Sequence, residues 1–196
     1  MKVAIQLFGH MRTFRECSPS LFSKLIQYYD CDIFIHTWSD INYNNEINNP
    51  SSDNQQEQLQ QDIHDIYQPK FLKIEKQSYF NSEVLLSPDH MLKDQGFLST
   101  PNDGITHMLY SMHAVNGLRE TYQNQHNISY DYIVFIRPDI LLHEKFDISL
   151  YEREFLFNPN TVVAFLDRIL LMLYNNRFDS VPLTSDLLLL MKPEVS

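Results

Sequence analysis

The amino-acid sequence predicts a three-layer α/β/α domain with a mostly parallel sheet, and three observations lead to that fold class. A strand, a helix and a second strand follow one another within the first forty or so residues, which is typical of a βαβ unit with a right-handed crossover. The run from Tyr132 to Ile136 is wholly aromatic or β-branched, which predicts a strand buried on both faces. A strong helical pattern leads directly into that run.

Particular residues mark where the strands and the helix of the first βαβ unit begin and end. Its first strand is predicted at Lys2 to Phe8 and ends at Gly9, where the backbone can turn sharply. The run Ser18-Pro19-Ser20 has the composition of a helix N-cap, and apolar residues follow it at helical spacing. The second strand is predicted at Asp32 to Trp38, with polar and aromatic residues at its end.

The middle of the chain changes in composition. Residues 40–61 are rich in Asn, Gln, Ser, Asp and Glu, so we expect a polar surface insertion, as a loop or mobile segment, within a single domain spanning residues 1–196. A short helix is predicted as the insertion ends, around Leu59 to Tyr67, and a strand at Lys70 to Glu75. Residues 76–103 have turn signals but no regular pattern.

The second half of the chain is predicted to complete the sheet. A helix at about 105–123 precedes the buried run, and Pro138 ends that strand because proline has no backbone N–H. Another buried strand is predicted at Thr161 to Leu166. The apolar run Leu187 to Met191 lies close to the last residue and needs a packing partner. An alternative explanation of this ending is that the chain is truncated at its C-terminus.

Composition limits the classes of function. The formal net charge is −10, from 15 basic and 25 acidic residues, so the chain should repel nucleic acid. Only Cys17 and Cys31 are present, which excludes a disulfide framework and a Cys-x-x-Cys metal or redox site. The sequence has no apolar segment long enough to cross a membrane and no signal peptide, so we expect a cytoplasmic protein. Four glycines are too few for a Rossmann fingerprint or a P-loop.

Chemically active side chains follow several predicted strands at their carboxyl ends, where ligands bind in open α/β sheets. Arginine forks suit bidentate phosphate binding, and one carboxylate with substrate phosphates can hold Mg²⁺ or Mn²⁺. A solvated surface charge is the alternative interpretation for Arg12, and a hydrogen-bonded strand-end histidine is the simpler one for the two histidines. The candidates are Gly9, His10, Arg12, His36, Trp38, Arg137 and Asp139.

Three blocks of sequence carry a resemblance to a known family. They are residues 9–14 (GHMRTF), residues 32–38 (DIFIHTW) and residues 130–139 (YDYIVFIRPD). In this order they resemble bacterial GT-A-type glycosyltransferases of surface-polysaccharide synthesis, which make capsule or lipopolysaccharide. The resemblance implies a GT-A-like fold, a nucleotide-sugar donor, and a saccharide or lipid-linked saccharide acceptor that would allow peripheral association with a membrane.

The resemblance also implies roles for individual residues, with one departure. Arg137-Pro138-Asp139 occupies the place of the family's Asp-x-Asp motif, which holds a divalent metal, so Asp139 would be a single metal ligand for Mn²⁺ or Mg²⁺. Because an arginine can stabilise a diphosphate in place of a metal, a metal-independent site is equally open. Asp167 would be the catalytic base, unless it only pairs with Arg168 or caps a helix.

Two hypotheses of function therefore come from the sequence. One is a glycosyltransferase in which Arg12 and Arg137 hold the donor diphosphate. The other is a non-catalytic nucleotide- or sugar-binding partner of a polysaccharide biosynthesis complex. A nucleophile–base pair of Ser111 and His113 is disfavoured, because residues two apart do not share a helix face.

Overall fold

A computed structural model describes residues 1–39, 53–77, 102–157, 162–165 and 188–193. In this part of the chain six strands form one sheet in the order β3-β2-β1-β4-β6-β5. The strands are β1 (Lys2–Phe8), β2 (Asp30–Trp38), β3 (Phe71–Glu75), β4 (Tyr132–Ile136), β5 (Val162–Phe165) and β6 (Leu188–Met191).

The sheet is mostly parallel. Strands β1 to β4 run in one direction, and β6 alone is antiparallel to both of its neighbours, β4 and β5. Every residue of β4 is buried, as expected for a continuous apolar run in the middle of a sheet. The α/β class, the parallel β1–β2 pair and the buried strand before Pro138 are thus confirmed.

The described residues include four α-helices, which lie on the two faces of the sheet: α1 (Phe14–Lys24), α2 (Asp53–Tyr67), α3 (Asn102–His126) and α4 (Glu152–Phe157). Side chains alternate across a strand, so Val3, Ile5 and Leu7 share one core with apolar residues of α1, α2 and α4. Ala4 and Phe8 point to the opposite face, where α3 packs. Helices therefore cover both faces of the sheet.

The start of α1 differs from the prediction. The helix begins at Phe14, not after Ser18-Pro19-Ser20, because Phe14, Cys17 and Leu21 bury one face at helical spacing. Pro19 consequently lies inside the helix, where its missing N–H leaves the carbonyl of Arg15 without a helical donor. The hydroxyl of Ser18 donates to that carbonyl at 3.2 Å and compensates for part of the loss.

The helix predicted around Leu59 to Tyr67 begins earlier in the structure, within the stretch 40–61 that was predicted to be a polar insertion. Helix α2 begins at Asp53, and residues 40–52 lie outside the described part of the chain. Its apolar residues are Leu59, Ile63, Ile66 and Tyr67. Leu59, Ile63 and Tyr67 recur every four residues and bury a single stripe, and Ile66 is partly buried beside it. From composition alone, the first part of this amphipathic helix was therefore predicted to be a loop or mobile segment. Among the described helices none is long and apolar enough to cross a bilayer.

Candidate functional site

The carboxyl ends of four parallel strands lie along one edge of the sheet. Strands β1, β2, β3 and β4 end there at Phe8, Trp38, Glu75 and Ile136. Helix α3 packs on β1 and β2 beside this edge. The loops that follow β1 and β4 are neighbours because those two strands pair directly.

Two arginines and one carboxylate meet at this edge. Asp139 accepts from Arg137 at both of its oxygens, with Nε at 2.9 Å from Oδ1 and Nη2 bonded to Oδ2. Arg12, 127 residues away in sequence, lies with Nη1 3.4 Å from the same Oδ2. The side chains of Asp139 and Arg137 are 10% and 14% exposed, whereas that of Arg12 is 39% exposed. We call Arg12, Arg137 and Asp139 the arginine pair and its carboxylate.

The loop that carries Arg12 has an unusual backbone. Gly9 has a φ of +89° and Arg12 a φ of +30°, a left-handed conformation in which a side chain with a Cβ costs about 1 kcal/mol or more. Met11 between them is fully buried. Strained residues of this kind are concentrated at functional sites, where the surrounding structure holds them in place.

A second cluster lies beneath the surface and centres on His36. This residue is fully buried, its Nδ1 lies 2.7 Å from Oγ of Ser111, and its Nε2 lies 2.8 Å from Oε2 of Glu75. The backbone N–H of Gly9 donates to the same Oγ of Ser111 at 2.8 Å. We call Gly9, Ser111, His36 and Glu75 the buried polar chain.

The proton positions in the buried polar chain follow from which of its atoms can only accept hydrogen bonds. A carboxylate only accepts, so the proton on His36 is at Nε2, facing Glu75. Burial lowers the pKa of His36 against the opposing effect of Glu75, so the ring is neutral near pH 7. Its unprotonated Nδ1 then accepts from the hydroxyl of Ser111. The pKa of Glu75 would be raised by burial, but bonds from His36, Lys73 and Tyr110 lower it overall.

Serine, histidine and glutamate in contact also occur in enzymes with a serine nucleophile. Here Ser111 and His36 have no exposed surface, and the oxygen of Ser111 accepts from Gly9. No substrate carbonyl can reach that oxygen without opening the fold. The buried polar chain therefore fixes structure instead of attacking a substrate.

No protein-family model matches the chain. No curated protein matches it in sequence either.

The structure brings together three of the predicted site residues: Arg12, Arg137 and Asp139. His36 is a hydrogen-bonded histidine at a strand end, the simpler of the two interpretations, and both of its ring nitrogens are bonded within the protein. Gly9 and His10 are half-buried at the end of β1. Asp167, the candidate base, lies outside the described residues.

The side chains around Asp139 do not fit a divalent cation well. Both of its oxygens accept from guanidinium groups, whose positive charges would repel a metal ion. The described residues contain no group of three His, Cys, Asp or Glu side chains placed to bind one. The chemistry that the arrangement supports is exchange of one anion for another on the arginine pair.

Three residues that the sequence did not identify complete the edge: Lys73, Glu75 and Tyr110. Glu75, at the end of β3, accepts from the hydroxyl of Tyr110 at 2.9 Å and lies 3.0 Å from Nζ of Lys73. Trp38 is almost fully buried and stacks on Tyr110, with ring centroids 5.7 Å apart. These contacts connect β2 and β3 with α3 at this edge of the sheet.

The opposite, amino edge of the sheet has its own charged cluster. Asp32 accepts from the hydroxyl of Tyr130 at 2.9 Å and lies 3.0 Å from Nζ of Lys2. Burial would raise the pKa of Asp32, but these partners lower it overall. The cluster joins the starts of β1 and β2 to Tyr130, two residues before β4, and it lies at the other end of the strands from the arginine pair.

Proposed function

We propose that the chain is a GT-A-like glycosyltransferase that moves a sugar from a nucleotide-sugar donor to a saccharide acceptor in cell-surface polysaccharide synthesis. The observation that carries this proposal is the contact of Arg12, after β1, with Asp139, which Arg137 binds after β4. Two guanidinium groups at the carboxyl edge of a parallel sheet are well suited to bind a diphosphate.

The two arginines have the central role in the proposed reaction. The acceptor hydroxyl attacks the anomeric carbon, the bond from that carbon to the diphosphate oxygen breaks, and the leaving group takes the electron pair. Arg12 and Arg137 donate N–H groups to the diphosphate and stabilise its developing negative charge. An inverting transfer also needs a carboxylate to take the hydroxyl proton, and Asp167 is our candidate for that role.

The test is release of free nucleotide from a panel of nucleotide-sugars, with and without Mn²⁺. We expect release by the native chain, and a loss of at least tenfold in Arg12→Gln, because one charge-assisted contact to the diphosphate disappears. Arg15→Gln is the matched control: Arg15 is an exposed arginine on the same segment that instead binds Asp62 of α2. It should keep the native rate.

The other outcomes separate the alternatives. Tight donor binding without turnover, whatever saccharide is offered, would favour the non-catalytic binding partner. Absence of both binding and turnover across the panel would refute the proposal. Turnover that requires Mn²⁺ and is lost in Asp139→Asn would instead support the role of Asp139 as a metal ligand.

A further inference from the structure

The backbone amide of Gly9 is held by a side chain instead of by the sheet. The pairing of β1 with β2 ends at Phe8, opposite His36, so the next N–H lies beyond the ladder. That N–H donates to Oγ of Ser111, on α3, at 2.8 Å. A buried hydroxyl thus replaces the strand partner at the point where the chain turns away from the sheet.

Ser111 is itself held in place. Its hydroxyl donates to Nδ1 of His36, and Nε2 of His36 donates to Glu75, as derived above. Tyr110 and Lys73 then hold the carboxylate of Glu75 from α3 and β3. Two strands and one helix therefore determine where the oxygen of Ser111 lies, and with it the amide of Gly9.

Arg12 follows Gly9 by three residues. Both Gly9 and Arg12 have positive φ, and Met11 between them is buried in the core. The N–H of Phe14 donates to the carbonyl of Met11 at 2.7 Å, which fixes the far end of the loop. The near end is fixed by Ser111. With both ends held, the strained backbone of Arg12 keeps its guanidinium beside Asp139.

We propose that Ser111 is a positioning residue: through the amide of Gly9 it holds the loop that places Arg12 for binding the diphosphate. The inference rests on the proposed function for the identity of the anion. The contacts that carry it, from Ser111 to Gly9 and from Arg12 to Asp139, are independent of any reaction.

The first experiment measures the affinity of inorganic pyrophosphate by calorimetry for the native chain, Ser111→Ala and Ser111→Cys. We expect a loss of about tenfold in Ser111→Ala, as for one misplaced charge-assisted hydrogen bond, and a smaller loss in Ser111→Cys, whose thiol accepts weakly. Tyr130→Phe is the control, since it removes a buried hydroxyl at the opposite edge of the sheet. It should lower the melting temperature and keep the native affinity.

Unchanged affinity in Ser111→Ala, or an equal loss in Ser111→Ala and Tyr130→Phe at the same melting temperature, would overturn the inference. A native chain that binds no pyrophosphate would count against the proposed function and not against the positioning role. The second experiment tests that role without any ligand.

That second experiment is amide hydrogen exchange followed by nuclear magnetic resonance. In the native chain we expect Gly9 to exchange as slowly as the residues of β1, although it lies past the end of the strand. In Ser111→Ala the Gly9 amide should exchange faster and the Nε–H resonance of Arg12 should shift. Fast exchange of Gly9 in the native chain would overturn the inference even if the variant fails to fold.

Discussion

Replacing Asp139 by Asn tests whether one carboxylate neutralises two arginines in the free protein. Asp139 and Arg137 are nearly buried, with side chains 10% and 14% exposed, whereas Arg12 is 39% exposed. Asparagine has the same shape as aspartate but no charge. The substitution therefore removes the negative charge that Asp139 places against a largely buried guanidinium group.

The magnitude follows from the burial of each contact. Breaking a fully buried ion pair costs about 3–5 kcal/mol, and an exposed pair contributes less than about 1 kcal/mol. The contact with Arg137 is largely buried, and the amide oxygen still accepts one of its bonds. We therefore expect Asp139→Asn to lower the free energy of unfolding by about 2 kcal/mol at low salt.

The assay is urea unfolding with and without pyrophosphate. An anion that binds only the folded state stabilises it by about 2.7 kcal/mol at a concentration of 100 Kd. Pyrophosphate should stabilise Asp139→Asn more than the native chain, in which it competes with Asp139 for the arginines. Asp62→Asn is the control, because Asp62 binds Arg15 at a more exposed site. Equal stabilisation of the native chain and Asp139→Asn would refute the reasoning.

Two further predictions concern the loop and the buried polar chain. Arg12→Gly should be more stable than Arg12→Ala by about 1 kcal/mol in urea unfolding, because only glycine accepts a φ of +30° without strain, and equal stabilities would contradict it. Stability of the native chain should fall as the pH drops below 6.5, because burial lowers the pKa of His36 from that value and the unfolded chain takes up a proton that the folded chain does not. The lowered pKa of Glu75 extends the loss below pH 4.5, its ordinary value. His36→Gln should flatten the slope just below pH 6.5, and an unchanged slope would contradict the assignment.

The sequence predicted most of the sheet because local signals and packing agree there. Strand β1 has the predicted bounds, Lys2–Phe8, since an apolar run ends at Gly9. Strand β6 was not assigned, because an apolar run alone does not distinguish a strand from a buried helix. Its antiparallel position between β4 and β5 depends on pairing with residues far away in sequence.

In the site, too, some features were predictable from the sequence, whereas contacts between distant elements were not. The convergence of Arg12 and Asp139 was predictable, because the carboxyl ends of parallel strands share one edge. From the sequence, Ser111 was tested only as the partner of His113, and that pair was disfavoured. In the structure His113 is exposed, and the hydroxyl of Ser111 bonds His36 on β2. One signal was present: Ser111 lies one turn before Val115 on the buried stripe of its helix. A hydroxyl on a buried stripe needs a partner, but the sequence does not say which strand supplies it.

The acidity of the chain explains why a counter-charge beside the arginines matters. With a net charge of −10 the protein repels a phosphorylated ligand at long range, and only contact-distance groups attract it. Among the described residues, Arg12 and Arg137 are the basic side chains in contact with Asp139, and at about 0.1 M salt screening over about 10 Å weakens the effect of more distant charges. Two positive charges and the carboxylate of Asp139 leave one net positive charge, too little to balance a doubly charged diphosphate. If the proposed diphosphate binds here, it competes with Asp139 for the two arginines, so we expect binding to be an exchange of anions.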